Sequence, residues 1–163
     1  MKLLADTNNA LQFVFKNTNQ TIYEACAIHH KTLFFCWNIR TGIDKGIEMS
    51  RIVNYVNWYG KNILLPKMEI EEKLLFSILN EDHYLIKRAL KEHRRIRRLL
   101  KIGSNPMKNL IYIEEELDLH IRFEEKNILT EIEPIATQKQ LKQINDALNQ
   151  LPNNSDWLDQ FWA

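Results

Sequence analysis

The stretch Leu117-Asp118-Leu119-His120-Ile121-Arg122-Phe123-Glu124-Glu125 decides the fold. Apolar residues recur through and around it at steps of three and four, as on one buried face of an α-helix: Leu110, Ile113, Leu117, Ile121 and Ile128. His120 and Glu124 lie four residues apart, on or beside that face. A carboxylate that faces an apolar interior is costly unless a positive group meets it there, and a bound divalent cation would use the histidine as well. The stretch therefore predicts a helix that carries metal ligands on its buried face.

Composition predicts one globular, helical domain. Of the 163 residues, 45% are hydrophobic and 26% are charged, and only four are glycine and four proline. Helical periods dominate and strict alternation of apolar and polar residues is scarce, which favours an all-α fold over residues 1–163. A formal net charge of +1 argues against nucleic-acid binding by bulk electrostatics. We find no signal peptide and no apolar run of about 18 residues, so we expect a cytoplasmic protein that does not enter membranes.

The helical periods predict four long helices, over about 21–41, 48–79, 82–102 and 106–133. Gly42 should end the first helix, Pro66 should kink the second, and Asn105 should cap the fourth. Short connections between such helices are typical of an up-down-up-down four-helix bundle, here over about 21–133.

The two ends of the chain lie outside this predicted bundle. Residues 1 to about 20 form a mixed arm without an assignable element. Thr137 with Gln140 predicts a capping box for a short fifth helix, about 138–151. Aromatic residues follow it, so we expect a C-terminal helix and tail over about 138–162 that packs against the bundle.

Each long helix directs a charged or metal-ligating group toward the predicted core. The candidates are His29 or His30 on the first helix, Glu71 with Lys67 on the second, His93 on the third, and His120 with Glu124 on the fourth. Imidazole and carboxylate together suit iron, manganese or zinc, and bundle cores are where such helical carboxylate sites are built. Bridging carboxylates from the second and fourth helices would let two metal ions lie together.

Periodicity alone does not choose between His29 and His30, since both continue the helical spacing from Cys26. We favour His30, because Leu33 follows it by three residues as Ile96 follows His93. The other histidine is then expected beside the site or at the surface.

These segments resemble the hemerythrin-like family, also called the HHE cation-binding domain, in its bacterial branch. The resemblance rests on the order and spacing of 29–40, 64–72, 90–93 and 120–125 within about 21–133, and on the closing Asp159-Gln160-Phe161-Trp162. It implies a non-haem di-iron carboxylate site with His29 or His30, Glu71, His93, His120 and Glu124 as ligands, and with both glutamates bridging. A protein of this kind would sense, scavenge or handle oxygen, nitric oxide or iron.

Two positions depart from the family pattern. Lys67 stands where the family has a histidine, and a protonated ammonium repels a metal ion. We therefore expect Lys67 to pair with Glu71 or Glu124 and to supply charge that a metal would otherwise supply. Arg97 stands four residues after His93, where oxygen carriers have a second histidine, so oxygen transport is not expected.

The alternative is a member of the family that has lost its metal and acts as a structural or interaction domain. No feature specifically indicates an enzyme.

Overall fold

The computed structural model describes residues 20–163, with side chains from Ala27 onward, and over this range the regular structure is entirely helical. Helix α1 is Gln20–Asp44. Helix α2 begins with Met49–Tyr59 and continues without a break through Gly60–Leu64, Leu65–Ile70, Glu71–Leu75 and Phe76–Ile78. Helix α3 is Tyr84–Leu99, and α4 comprises Pro106–Phe123, Glu124–Ile128 and Leu129–Ile132. Helix α5 is Gln138–Asn149, and a 3₁₀ turn follows at Asn154–Asp156.

Two of the long helices change from α to π geometry at a glutamate that was predicted to face the core. In α2 the π segment is Glu71–Leu75, and in α4 it is Glu124–Ile128. A π turn inserts one residue into the helical repeat and redirects the side chains around it, and such turns are frequent at functional sites. The two carboxylates therefore leave their helices at points where the backbone is locally rearranged.

The predicted start signals are confirmed. The Asn105 side chain accepts a hydrogen bond from the Lys108 amide at 3.2 Å, with Pro106 in the first turn of α4. Thr137 and Gln140 form the reciprocal capping box at the start of α5. These caps satisfy amide groups that have no partner within the first helical turn.

The predicted end of the first helix at Gly42 is wrong, because α1 continues to Asp44. Gly42 instead permits a close approach, since a Cβ there would lie 2.7 Å from Cε2 of Phe161. The chain turns at Gly46, whose φ of +65° suits a residue without a side chain. Helix α2 continues through Pro66, as predicted for a helix over about 48–79, after the π segment Gly60–Leu64.

Two apolar clusters form the core and are separated by a layer of charged residues. The tyrosine cluster includes Phe35, Ile52, Tyr55, Tyr59, Leu64, Ile96 and Leu117. The isoleucine cluster includes Ile28, Leu75, Phe76, Ile86, Ala89, Ile128 and Leu141. Helices α1 and α3 run from the isoleucine cluster to the tyrosine cluster, whereas α2 and α4 run the other way. Successive long helices thus alternate in direction across the charged layer.

The predicted docking of the aromatic tail is confirmed. Phe161 and Trp162 are buried, and their rings contact Tyr55 at centroid distances of 5.6 and 4.7 Å. Arg51 holds the same segment through an ion pair with Asp159 at 2.5 Å.

The predicted N-terminal arm lies outside the described residues, apart from its boundary with α1. Within the described range, the helices lack the combination of length and apolar character that a membrane span requires.

Candidate metal centre

Six buried polar residues from four helices meet in the layer between the two apolar clusters. They are His29 from α1, Lys67 and Glu71 from α2, His93 from α3, and His120 and Glu124 from α4. The pairs on α2 and α4 are each four residues apart, so each pair shares one helix face. Ligand atoms of Glu71, His93, His120 and Glu124 all lie within 4.8 Å of one another. The sequence-predicted residues are therefore brought together, with one exception at the first histidine.

That exception is His30, which the sequence analysis favoured over His29. His29 is 2% exposed and faces the centre, whereas His30 is exposed and lines a shallow surface pocket with Phe34. The prediction of His30 from the position of Leu33 is wrong, because the fully buried residues of α1 include Thr32 but not Leu33. His29 precedes Thr32 by three residues and so lies beside these buried residues.

One end of the centre, here called the two-histidine end, is formed by His93 and His120. Their Nε2 atoms are 2.9 Å apart. Oε1 of Glu124 lies 3.0 Å from His120 Nε2, and Oε2 of Glu71 lies 3.5 Å from His93 Nε2. Two imidazole nitrogens and two carboxylate oxygens thus converge on one small volume.

The opposite end, here called the lysine end, is formed by Lys67 and His29. The Lys67 ammonium contacts Oε1 of Glu71 directly and lies 3.8 Å from Oε2 of Glu124. His29 Nε2 lies 3.1 Å from the same Glu124 oxygen and 3.7 Å from the same Glu71 oxygen. Each glutamate therefore turns one oxygen to each end of the centre. The predicted pairing of Lys67 with a core carboxylate is confirmed.

Three further glutamates, here called the outer carboxylates, contact the remaining ring nitrogens. Nδ1 of His93 lies 2.7 Å from Glu72, Nδ1 of His120 lies 2.7 Å from Glu92, and Nδ1 of His29 lies 3.2 Å from Glu125. An ionised carboxylate only accepts hydrogen bonds, so each Nδ1 carries a proton and each Nε2 is directed into the centre. This is the arrangement that orients histidines for metal binding.

Sequence analysis did not find the outer carboxylates. A local signal existed, because Glu72, Glu92 and Glu125 each adjoin a predicted core residue in the chain. Their partners lie on other helices, however, and helical spacing cannot reveal such contacts. Two arginines hold two of these groups from outside: Arg97 lies 2.8 Å from Glu72, and Arg88 donates to Glu92 at 2.8 Å.

The carboxylates dominate the electrostatics of the centre. Burial alone would lower the pKa of His29 and of His93, but the close approach of the carboxylates, Glu124 first among them, raises each pKa to about 10. Burial also opposes the charge on Lys67, and the attraction of Glu71 and Glu124 outweighs it, so that the pKa of the lysine is raised. Burial and the nearby Glu124 oppose ionisation of Glu71, yet Lys67 and the histidines hold its pKa well below the ordinary value. The lysine is therefore an ammonium and Glu71 a carboxylate at neutral pH.

The two-histidine end has the chemical features of a cation site. Among the described residues, Oε2 of Glu71 and both oxygens of Glu124 are buried and have no hydrogen-bond partner of acceptable geometry. The Nε2 atoms of His93 and His120 face each other at 2.9 Å, and two N–H groups or two bare lone pairs would repel at that distance. One proton or one cation between these nitrogens would remove this repulsion. A metal ion satisfies both nitrogens and the carboxylate oxygens together, so the residues present fit one.

Comparison of the chain with protein-family models, with curated proteins and with solved structures finds no match in any of the three.

Proposed function

We propose that this chain is a hemerythrin-like metal-binding protein that holds iron between the four long helices of an up-down-up-down bundle. One observation carries the proposal. Ligand atoms of Glu71, His93, His120 and Glu124 lie within 4.8 Å of one another, in a buried layer that offers the carboxylates too few hydrogen bonds. The alternating direction of the long helices supports the bundle. Imidazole with carboxylate suits iron, manganese and zinc, and the family resemblance favours iron.

The chain's own residues would hold and orient the ion. The outer carboxylates fix the Nδ1 protons and so direct each Nε2 inward, while the two apolar clusters exclude water from both sides. An iron ion held there would supply open coordination positions and redox chemistry for a small diatomic ligand. We therefore propose a role in sensing or handling oxygen, nitric oxide or iron.

The test is metal content per chain after expression with iron, manganese and zinc all supplied. We expect bound metal in the wild type and its loss in His120→Gln and in Glu124→Gln, because each variant removes a ligand from the centre. His30→Gln is the matched control, since His30 is an exposed histidine that adjoins a core residue in the chain. Metal at wild-type occupancy in the two core variants, or none in a folded wild type, would refute the proposal.

A second candidate is a metal-free member in which the bundle serves as a structural or interaction domain. The direct contact between the Lys67 ammonium and Glu71 favours it, because that contact already neutralises one core carboxylate. A wild type that binds no ion and a Lys67→His variant that binds one would support this candidate over the first.

A further inference from the structure

We propose that the centre takes one divalent transition-metal ion per chain, at the two-histidine end, and that the Lys67 ammonium occupies the position of a second ion. This inference rests on the proposed function and specifies the number of ions and their position. Lys67 thereby becomes the residue that determines the stoichiometry of the site.

The division of the carboxylate oxygens supports two distinct positions. Glu71 presents Oε2 to His93 and Oε1 to Lys67. Glu124 presents Oε1 to His120, at 3.0 Å, and Oε2 toward the lysine end, 3.8 Å from Lys67. Two carboxylates that each face both ends are arranged to bridge two cations. The lysine end already contains one, in the form of the ammonium.

The hydrogen bonding of the Glu71 and Glu124 oxygens indicates which end of the centre a metal ion would occupy. The Glu71 oxygen at the lysine end is bound by Lys67, whereas the Glu71 oxygen at the two-histidine end has no hydrogen-bond partner among the described residues. Among the described residues, neither oxygen of Glu124 has a hydrogen-bond partner, and Oε2 at the lysine end lies 3.1 Å from His29 Nε2 and 3.8 Å from the ammonium. The two-histidine end is therefore the end at which both glutamates present an oxygen without a hydrogen bond.

Distance and charge exclude a second ion beside the ammonium. A metal ion binds a carboxylate oxygen at about 2.0 to 2.2 Å, and Lys67 already contacts the Glu71 oxygen that such an ion would need. The two inner carboxylates contribute two negative charges and Lys67 one positive charge, so one divalent ion brings the sum of these charges to +1. A second ion would bring it to +3 in a fully buried layer, which is strongly unfavourable.

The residues around the two ends also favour a metal ion at the two-histidine end over one at the lysine end. Position 67 on α2 corresponds to His120 on α4, since each precedes a bridging glutamate by four residues. Nδ1 of His120 is bound by Glu92, the residue before His93 on α3. The residue before His29 on α1 is Ile28, which is apolar and buried. The lysine end therefore has one imidazole, that of His29, where the other end has two, and it lacks a carboxylate that corresponds to Glu92.

The test is titration of the chelator-treated, full-length chain with Co²⁺ under anaerobic conditions, followed by the visible absorption of bound cobalt and by elemental analysis after gel filtration. We expect one equivalent in the wild type and two in Lys67→His, which exchanges the ammonium for a ligand. Lys61→His is the matched control, because Lys61 is exposed on the same helix, and it should bind one equivalent. Adding His29→Gln to Lys67→His should return the count to one, because the second ion would use His29.

Two equivalents in the wild type would overturn this inference and leave the proposed function intact. One equivalent in a folded Lys67→His chain, judged by its circular dichroism, would also overturn it, because the lysine would then not be what excludes the second ion. No cobalt in either protein would refute the proposed function itself. One equivalent in the wild type that survives His93→Gln would place the ion outside the two-histidine end and contradict the assignment.

Discussion

The contact between Glu72 and His93 gives a sharp test of how the outer carboxylates act. Glu72 is partly exposed and touches no other candidate ligand, so Glu72→Gln removes a charge without changing the ligand set. The glutamine amide oxygen can still accept a hydrogen bond from Nδ1 at the observed distance of 2.7 Å. The substitution therefore isolates the charge of the carboxylate from its position.

We expect this variant to bind Zn²⁺ about 10 to 100 times more weakly than the wild type, the usual effect of removing an outer partner of a metal-binding histidine. That range corresponds to about 1.4 to 2.7 kcal/mol. It agrees with the value of about 1.5 to 3 kcal/mol for a hydrogen bond to a charged group. The physical reason is that a carboxylate on Nδ1 makes Nε2 a stronger base and holds the ring in one orientation.

The assay is competition with a chromophoric chelator at fixed pH and ionic strength. Glu69→Gln is the matched control, because Glu69 lies one turn earlier on α2 and is exposed, and it should bind Zn²⁺ as the wild type does. Arg97→Gln removes the partly exposed partner of Glu72 and should change the affinity less than about fivefold, since ion pairs near the surface contribute at most about 1 kcal/mol. Wild-type affinity in Glu72→Gln would show that the carboxylate is only a surface partner of Arg97, and the reasoning about Nδ1 would be wrong.

Three further predictions follow from the buried layer and its surroundings. In metal-free protein, Lys67→Met should lower the free energy of unfolding in urea by about 3 to 5 kcal/mol, because Glu71 loses its buried cation; a loss below about 1 kcal/mol would contradict this. The pKa of His93 is raised to about 10 without metal, so a metal ion that binds at neutral pH must displace a proton from this histidine. The apparent Zn²⁺ affinity should therefore rise between pH 6 and 8, by about tenfold per pH unit for each proton displaced. An affinity that is flat over this range would show that no proton is displaced. Burial raises the pKa of the Cys36 thiol. In a Cys26→Ser chain, a thiol reagent should therefore label Cys36 only after unfolding. Rapid labelling of the native protein would argue against that burial.

The parts of the centre that lie on one helix could be predicted from the sequence. Lys67 with Glu71, and His120 with Glu124, are four residues apart, and an α-helix places such pairs on one face whatever surrounds it. The choice between His29 and His30 could not be made in this way. It depends on which face of α1 meets the other helices, and that face includes the polar Thr32, which a search for apolar residues passes over.

Contacts between helices could not be predicted, because they depend on how far one helix is shifted along its neighbour. The contact of Glu72 with His93 depends on the turn between α2 and α3, where Asn80 adopts a φ of +78°. A left-handed residue at this turn is not specified by periodicity, although asparagine tolerates it better than most residues. Helical periodicity does not predict the π turns at Glu71 and Glu124 either, since such turns interrupt the repeat itself.

The charged layer is better explained by binding than by stability. Glu71 and Glu124 are fully buried, and each begins a π turn, a rare geometry within an α-helix. Replacing buried ion pairs with well-packed apolar residues commonly leaves a fold equally stable or more stable. The apolar clusters on both sides of the layer would extend through it if the helices only had to pack. Instead, Glu71 and Glu124 face inward while the next residue of each helix, Glu72 and Glu125, reaches a histidine of another helix. This arrangement costs folding free energy at both glutamates, and the cation binding that we propose would offset that cost.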